Sequence, residues 1–357
     1  MRVFEVGADA FAEAAALPGE LPAGGFLWLA LARDELGSQR AALQSALLRW
    51  TGAHLVDLHV SDLLNSQLPS RFESTSWYDL LVFRRLASPP VDDRAPAAAK
   101  LGSIETLAVG FVVFDRVLVS VHPAGCPLPE HFAQRFAGPN GGADLRSGAR
   151  LPASAAELML RMVGHMIDGF LELRRVLTRH LGRQQQNLLD PKSRSANWQL
   201  LLDSRNELHL LEDLCEDQRS ALSEWIESLH EWPAAGDPEH QREHELLVVR
   251  SRDAQEHVER VLGHVGRLER SAEAAVQMHF SAIAHRTNNI MRTLTALTAV
   301  FMPLNLITGF FGMNFDTLPL IHRATGVWIA VGVMVAIGAG SVAWVWRKRY
   351  LDADARR

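Results

Sequence analysis

Gly312, Met313 and Asn314 close one uncharged stretch, Thr293 to Phe315, and a second, Ala324 to Trp346, follows after a short loop. Each stretch is long enough as a helix to cross a bilayer core of about 30 Å. Hydrocarbon offers no water to backbone groups, so the turn carrying the tripeptide is expected at the far interface or facing a water-filled path. Gly312 permits a sharp exit from the helix, and Asn314 then presents a neutral carboxamide to that path. The chemistry predicted there is the holding of a hydrated metal cation.

Behind the tripeptide lies a line of related groups. Steps of four and three counted back from Gly309 give Asn305, Met302, Thr298, Thr295, Met291, Asn288 and Ala284, the positions that face a common axis when helices pack in parallel. Amides and hydroxyls there meet water or ions on an axial path, or else join neighbouring helices by hydrogen bonds. Mg²⁺ keeps much of its water shell when bound, so neutral oxygens suit it. No Cys or His occurs between Arg286 and Ile321, against direct coordination of a bare soft metal. Met291 and Met302 read either as hydrophobic rings that gate by dewetting or as fillers of a helix interface.

The elements that position this line follow from periodicity. Residues 1–150 mix strand and helix patterns: strands at Phe26 to Leu31 and Leu80 to Leu86, a helix from Leu36 to Trp50, and a strand pair from Thr106 to Val121 broken near Asp115. Ala87 to Ala99 and Ala137 to Ser147 read as loops. Residues 151–238 are predicted as an antiparallel helical pair, 153–187 and 193–231, turning at Asp190-Pro191. From residue 239 helical spacing runs to 311 with no proline before Pro303, a helix of about 110 Å. Gly263 and Gly266 weaken it locally, by roughly 1 kcal/mol each. A compact monomer is not expected to bury such a helix. The predicted divisions are therefore a cytoplasmic α/β domain (1–150), the helical pair (151–238), a stalk (239–292), a transmembrane hairpin (293–346) and a basic tail (347–357). The class is α+β.

The chain has 357 residues and a net charge of -5. No long basic run with interleaved aromatics supports nucleic-acid binding. Cys126 and Cys215 make neither a disulfide framework nor a thiolate site. No Gly-Lys-Ser or Gly-Lys-Thr marks a nucleotide loop, so ATP hydrolysis is not expected; a passive ion path has no reaction to catalyse, and neither an enzyme nor a covalent cofactor is expected. The opening residues have no basic segment leading into an apolar run, which predicts no secretory signal. Arg347, Lys348, Arg349, Arg356 and Arg357 follow the second span against Asp352 and Asp354. This excess predicts both termini on the cytoplasmic side, and the basic residues serve as an interface anchor or in gating.

With these motifs the chain resembles the CorA family of divalent-cation transporters over most of its length. The carrying residues are Phe301-Met302-Pro303-Leu304, Gly312-Met313-Asn314-Phe315, Pro319 and Arg347-Lys348-Arg349-Tyr350-Leu351; upstream they are Asp57-Leu58-His59, Leu64-Asn65, Pro69 and Phe72-Glu73. The resemblance implies a homopentamer in a bacterial-type inner membrane. It implies a single axial pore carrying Mg²⁺, with Co²⁺ and Ni²⁺ also passing, and an entrance ring at Asn314. Asn288, Met291, Leu294, Met302 and Asn305 would line the path, with Leu294 rather than Thr295 at the gate-like position. Closure by intracellular Mg²⁺ would use Asp253 on the stalk with Asp92 or Asp93 of the neighbouring copy.

Two departures matter. Leu320 follows Pro319 where the family commonly has an acid, leaving Asp316 to attract cations at the mouth. Met313 stands where ZntB zinc transporters typically have valine, while the stalk carries His244, His257, His264, His279 and His285. Imidazole suits zinc and nickel. A zinc or nickel transporter, proton-coupled in one form, and a non-conducting membrane-anchored regulator are the alternatives.

Overall fold

The structure, a computed structural model, describes residues 1–8, 10–88, 104–137, 150–189, 198–232, 238–313 and 324–354. The chain divides into two compact units, Met1–Val276 and Gln277–Arg357.

The first unit is built on a seven-stranded sheet. Strands β1 (Arg2–Val6), β2 (Phe11–Ala14), β3 (Phe26–Ala32), β4 (Arg71–Ser74), β5 (Asp79–Leu86), β6 (Thr106–Val113) and β7 (Val117–His122) stand in the order β2-β1-β3-β7-β6-β5-β4. Among the described residues only β3 and β7 pair in parallel. That pairing needs a long crossover, and helices α1 (Arg33–Thr51) and α2 (Asp57–Leu64) lie within it.

The sheet is covered on both faces, which explains why β3 reads as an unbroken apolar run, Phe-Leu-Trp-Leu-Ala-Leu-Ala. Side chains alternate along a strand. Leu27, Leu29 and Leu31 join Leu36, Leu43 and Leu47 of α1 and Val60 and Leu63 of α2. Phe26, Trp28 and Ala30 join the opposite core with α3 (Leu128–Ala137), α4 (Ala155–Leu189), α5 (Trp198–Glu231) and the start of α6 (Pro238–Phe311). Gly110 of β6 lets α2 come close, for a Cβ there would lie 2.2 Å from Leu63 Cδ2. Gly52 ends α1 in the left-handed conformation, its N–H donating to Leu48 O.

On the helical side, α6 packs against α4 and α5 as far as Ala275. Leu247, Ala254, Val258, Val261, Val265, Ala272 and Ala275 are buried at helical spacing. Trp225 Nε1 donates to Ser251 Oγ at 3.0 Å, Gln255 Nε2 to Ser223 Oγ at 2.9 Å and Gln185 Nε2 to Ser271 Oγ at 3.1 Å. Glu157 of α4 accepts from Arg161 and from Arg250 of α6. The expectation that one chain could not cover the long helix is thus corrected for its first half. Gly263 and Gly266 do not interrupt it.

The second unit is a hairpin of the remainder of α6 and α7 (Ala324–Asp354). Both helices are long and apolar enough to cross a bilayer. On α7 the less exposed positions are Gly326, Ala330, Met334, Ile337, Gly338 and Ser341, a mostly small-residue face suited to close helix packing. Leu304 of α6 meets it, 3.9 Å from a Cβ built on Gly338.

The strands and the first helix predicted from Phe26 through Val121 fall within β3, α1, β5 and the pair β6 and β7; the helix predicted over 153–187 starts two residues before α4, and of the one predicted over 193–231 the described part, from Trp198, is α5. β1, β2, β4, α2 and α3 were not predicted. The turn expected at Asp190-Pro191 lies outside the described residues.

Candidate functional site

On α6 of the hairpin, Ala296, Val300, Pro303, Leu304 and Ile307 are partly covered. At 3.6 residues per turn these form one stripe, and Leu304 shows that it faces α7. Asn288, Met291, Leu294, Thr295, Thr298, Met302, Asn305 and Gly309 are all exposed in the single chain. By the same helical arithmetic they centre on the opposite face. The line found by spacing is therefore the side that α7 leaves open.

Its hydroxyls are answered within the helix. Thr295 donates to Met291 O at 2.8 Å and Thr298 to Leu294 O at 2.9 Å. Back-bonding of this kind satisfies a hydroxyl without water. Thr295 and Thr298 thus have a partner for the hydroxyl donor within their own helix. The amides of Asn288 and Asn305 are left as the groups on that line that seek a water, an ion or a second copy.

Helix α6 ends at Gly312, whose N–H donates to Thr308 O at 2.9 Å; Met313 N–H reaches Phe310 O at 3.4 Å. A Cβ at Gly312 would sit 3.0 Å from Thr308 O, so the turn favours glycine on space. Met313 is exposed. Asn314, Asp316 and Leu320 lie outside the described residues, as do Asp92 and Asp93.

Asp253 stands on the first half of α6 with its side chain 68% exposed, 3.9 Å from His257 Nε2. The other stalk histidines separate by role. His264 Nε2 meets Thr178 Oγ1 at 2.7 Å while Arg267 donates to its Nδ1 at 3.2 Å. Burial and then the nearby Arg174 and Arg267 push its pKa down. With both ring nitrogens engaged, His264 is a structural residue. His244 bonds Leu229 O at 2.7 Å and caps α5. His285 is exposed.

The first unit is a seven-stranded sheet clad in helices, and the second holds two helices each long and apolar enough to cross a bilayer. The family model of the CorA-like Mg²⁺ transporter protein matches residues 24–349, and the chain belongs to that family. Curated relatives include a putative metal ion transporter, YfjQ, of Bacillus subtilis (strain 168), 38% identical over 69 residues, and the cobalt/magnesium transport protein CorA of Thermotoga maritima, 28% identical over 100 residues. These alignments cover 19% and 28% of this chain but only 22% and 28% of the relatives. The matched part thus spans about a quarter of their length. Solved structures share the fold more widely. The complete CorA magnesium transporter of Methanocaldococcus jannaschii superposes with a TM-score of 0.69 at 15% identity, covering 96% of each chain. The full-length CmaX protein gives 0.65 at 17% identity, covering 98% of this chain and 97% of its own.

Proposed function

We propose that the chain is a CorA-type divalent-cation transporter which, as a homopentamer, carries hydrated Mg²⁺, and also Co²⁺ and Ni²⁺, passively into the cytoplasm through a bacterial-type inner membrane. The observation that carries this reading is the family match over residues 24–349 together with Gly312-Met313-Asn314 at the end of the first apolar helix. In this reading Gly312, Met313 and Asn314 form the entrance. Asn288, Met291, Leu294, Thr295, Thr298, Met302, Asn305 and Gly309 line the path, and Asp316 draws cations to the mouth. The driving force is the inside-negative potential, about 2.3 kcal/mol per charge per 100 mV. Asp253 of one copy and Asp92 or Asp93 of the next would share a regulatory Mg²⁺ that holds the closed arrangement, with oxygen ligands as that ion prefers.

Purified protein in liposomes, assayed side by side with Mg²⁺, Ni²⁺ and Zn²⁺, tests the reading; Mg²⁺ flux and rescue of a Mg²⁺-uptake-deficient bacterium are the expected results. The histidines of the stalk, such as His244, His257 and His285, favour a second reading, a zinc or nickel transporter, and Leu320 in the place of a loop acid favours a third, the non-conducting regulator. Zn²⁺ or Ni²⁺ flux without Mg²⁺ flux would select the second, and no flux of any ion would select the third.

A further inference from the structure

One group of side chains of metal-ligating type gathers outside the residues of the proposed ion path. His209 and Glu212 stand one turn apart on α5, and Glu269 reaches them from α6, all within the first unit. His209 Nδ1 is 3.4 Å from Glu212 Oε2 and 3.9 Å from Glu269 Oε1. One donor atom from each residue lies within 4.8 Å of the other two. The imidazole side chain is 63% exposed and so open to entry, whereas the carboxylates are 29% and 16% exposed and held against the helices. Arg205 Nε donates to Glu269 Oε1 at 3.3 Å.

We propose that His209, Glu212 and Glu269 bind a transition-metal dication of the zinc, nickel or cobalt type, bridging α5 and α6 of one chain. The donor set decides the ion. Mg²⁺ demands oxygen ligands in near-octahedral geometry and parts reluctantly with its waters, whereas imidazole beside carboxylates suits zinc and nickel. Bonds of about 2.0–2.2 Å place neighbouring donors of a tetrahedral ion roughly 3.4 Å apart. The His209–Glu212 pair already has that separation, and Glu269 Oε1 lies about half an ångström beyond it from His209 Nδ1. Waters complete the shell. The ion takes the place of Arg205 at Glu269, so guanidinium and metal compete for one carboxylate. A dication there also ties α5 to α6 and stabilises the first unit by mass action. The site is contained in one chain, and the inference does not rest on the transport reading.

Equilibrium dialysis of the full-length protein in detergent with Zn²⁺ alone, and with Zn²⁺ in excess Mg²⁺, tests it. His209→Ala is expected to weaken one Zn²⁺ equivalent per chain by at least about tenfold, and excess Mg²⁺ is expected to leave that equivalent in place. Arg205→Ala is expected to tighten it by about twofold to fivefold, the worth of an exposed ion pair; tighter binding cannot arise from misfolding. Unchanged Zn²⁺ binding in His209→Ala, displacement of the ion by Mg²⁺, or weaker binding in Arg205→Ala would each overturn the proposal. Because the readout is binding alone, failure here leaves the flux experiments untouched, and failure of flux leaves this site standing.

Discussion

The two halves of α6 share one helical period but differ in what surrounds them. Up to Ala275 the buried apolar positions form a single stripe, closed by α4 and α5, while charged residues and the exposed Leu246 and Val249 occupy the other faces. From Met278 onward Phe280, Ile283, Ile290, Met291, Leu294, Leu297, Phe301, Met302 and Leu306 are all exposed, and no charge follows Arg292. The first half is amphipathic and is satisfied by its own chain. The second is apolar on nearly every side, and α7 covers only one stripe of it. A helix of that kind needs lipid or further copies of itself around it. Local helix preference decides neither case; the surroundings available to the outer faces do.

The most severe way to break the contrast is to place one charge in each half. Val261→Asp puts a carboxylate where only 1% of the side chain is exposed. Such a burial without a partner is expected to destabilise the first unit by more than about 4 kcal/mol, read as loss of soluble, protease-resistant protein. Leu297→Asp, at a position 55% exposed, is expected to leave that protease resistance intact. It opposes membrane insertion instead, by about 2.5–3.5 kcal/mol at a helix centre, read as protein missing from the membrane fraction. Equal loss of the first unit in both variants would erase the contrast.

Within the second half, Asn314→Ala is expected to abolish ion flux in liposomes without changing oligomer size, because it removes an amide and no core packing. Thr298→Ala should lower flux far less than Asn305→Ala, since the Thr298 hydroxyl already bonds Leu294 O. The reverse order would place the path on another face.

A milder change tests whether the first half reports to the second. Asp253→Lys puts a fixed cation where the proposed regulatory Mg²⁺ would bind, so limited proteolysis should become independent of Mg²⁺ and resemble the Mg²⁺-bound wild type even in chelator. Protection of the wild type that ignores Mg²⁺ would remove the sensor from this acid.

The smallest expected effect is one of pH and belongs to the first unit alone. His122 lies under the helices beside Ser120, which it meets at 2.8 Å, and burial pushes its pKa down from 6.5 to about 3. Below pH 6.5 the unfolded chain binds a proton that the folded chain refuses, so stability is lost as pH falls from 6.5 towards about 3. At pH 5 the loss is about 2 kcal/mol. His122→Phe is expected to flatten the fall of the thermal midpoint between pH 7 and 5. An unaltered slope would show that other groups carry it.

How far these regions could be read from sequence follows the same divide. The Phe26–Ala32 run, the helices about Ala155–Leu189 and Trp198–Glu231, and the long α6 announce themselves by period and length. β1 did not, because Arg2 and Glu5 interrupt a five-residue strand whose order comes from pairing with β2 and β3. α2 has only eight residues and is held by packing on Gly110. The line from Asn288 to Gly309 was visible as spacing, but which side of the helix α7 leaves open depends on Leu304 meeting Gly338. His209 and Glu212 could be paired by their separation; Glu269 joins them only through the register of α5 on α6.

The threonines that bond their own helix bear on the speed of any gate built there. A hydroxyl that loses its water on drying must find a substitute, and that search adds a barrier to each cycle. Thr295 and Thr298 carry their substitute with them. On the proposed path, filling and emptying would therefore leave their bonding nearly unchanged, so the toll on switching falls on the side chains of Met291, Leu294 and Met302 and on the amides of Asn288 and Asn305.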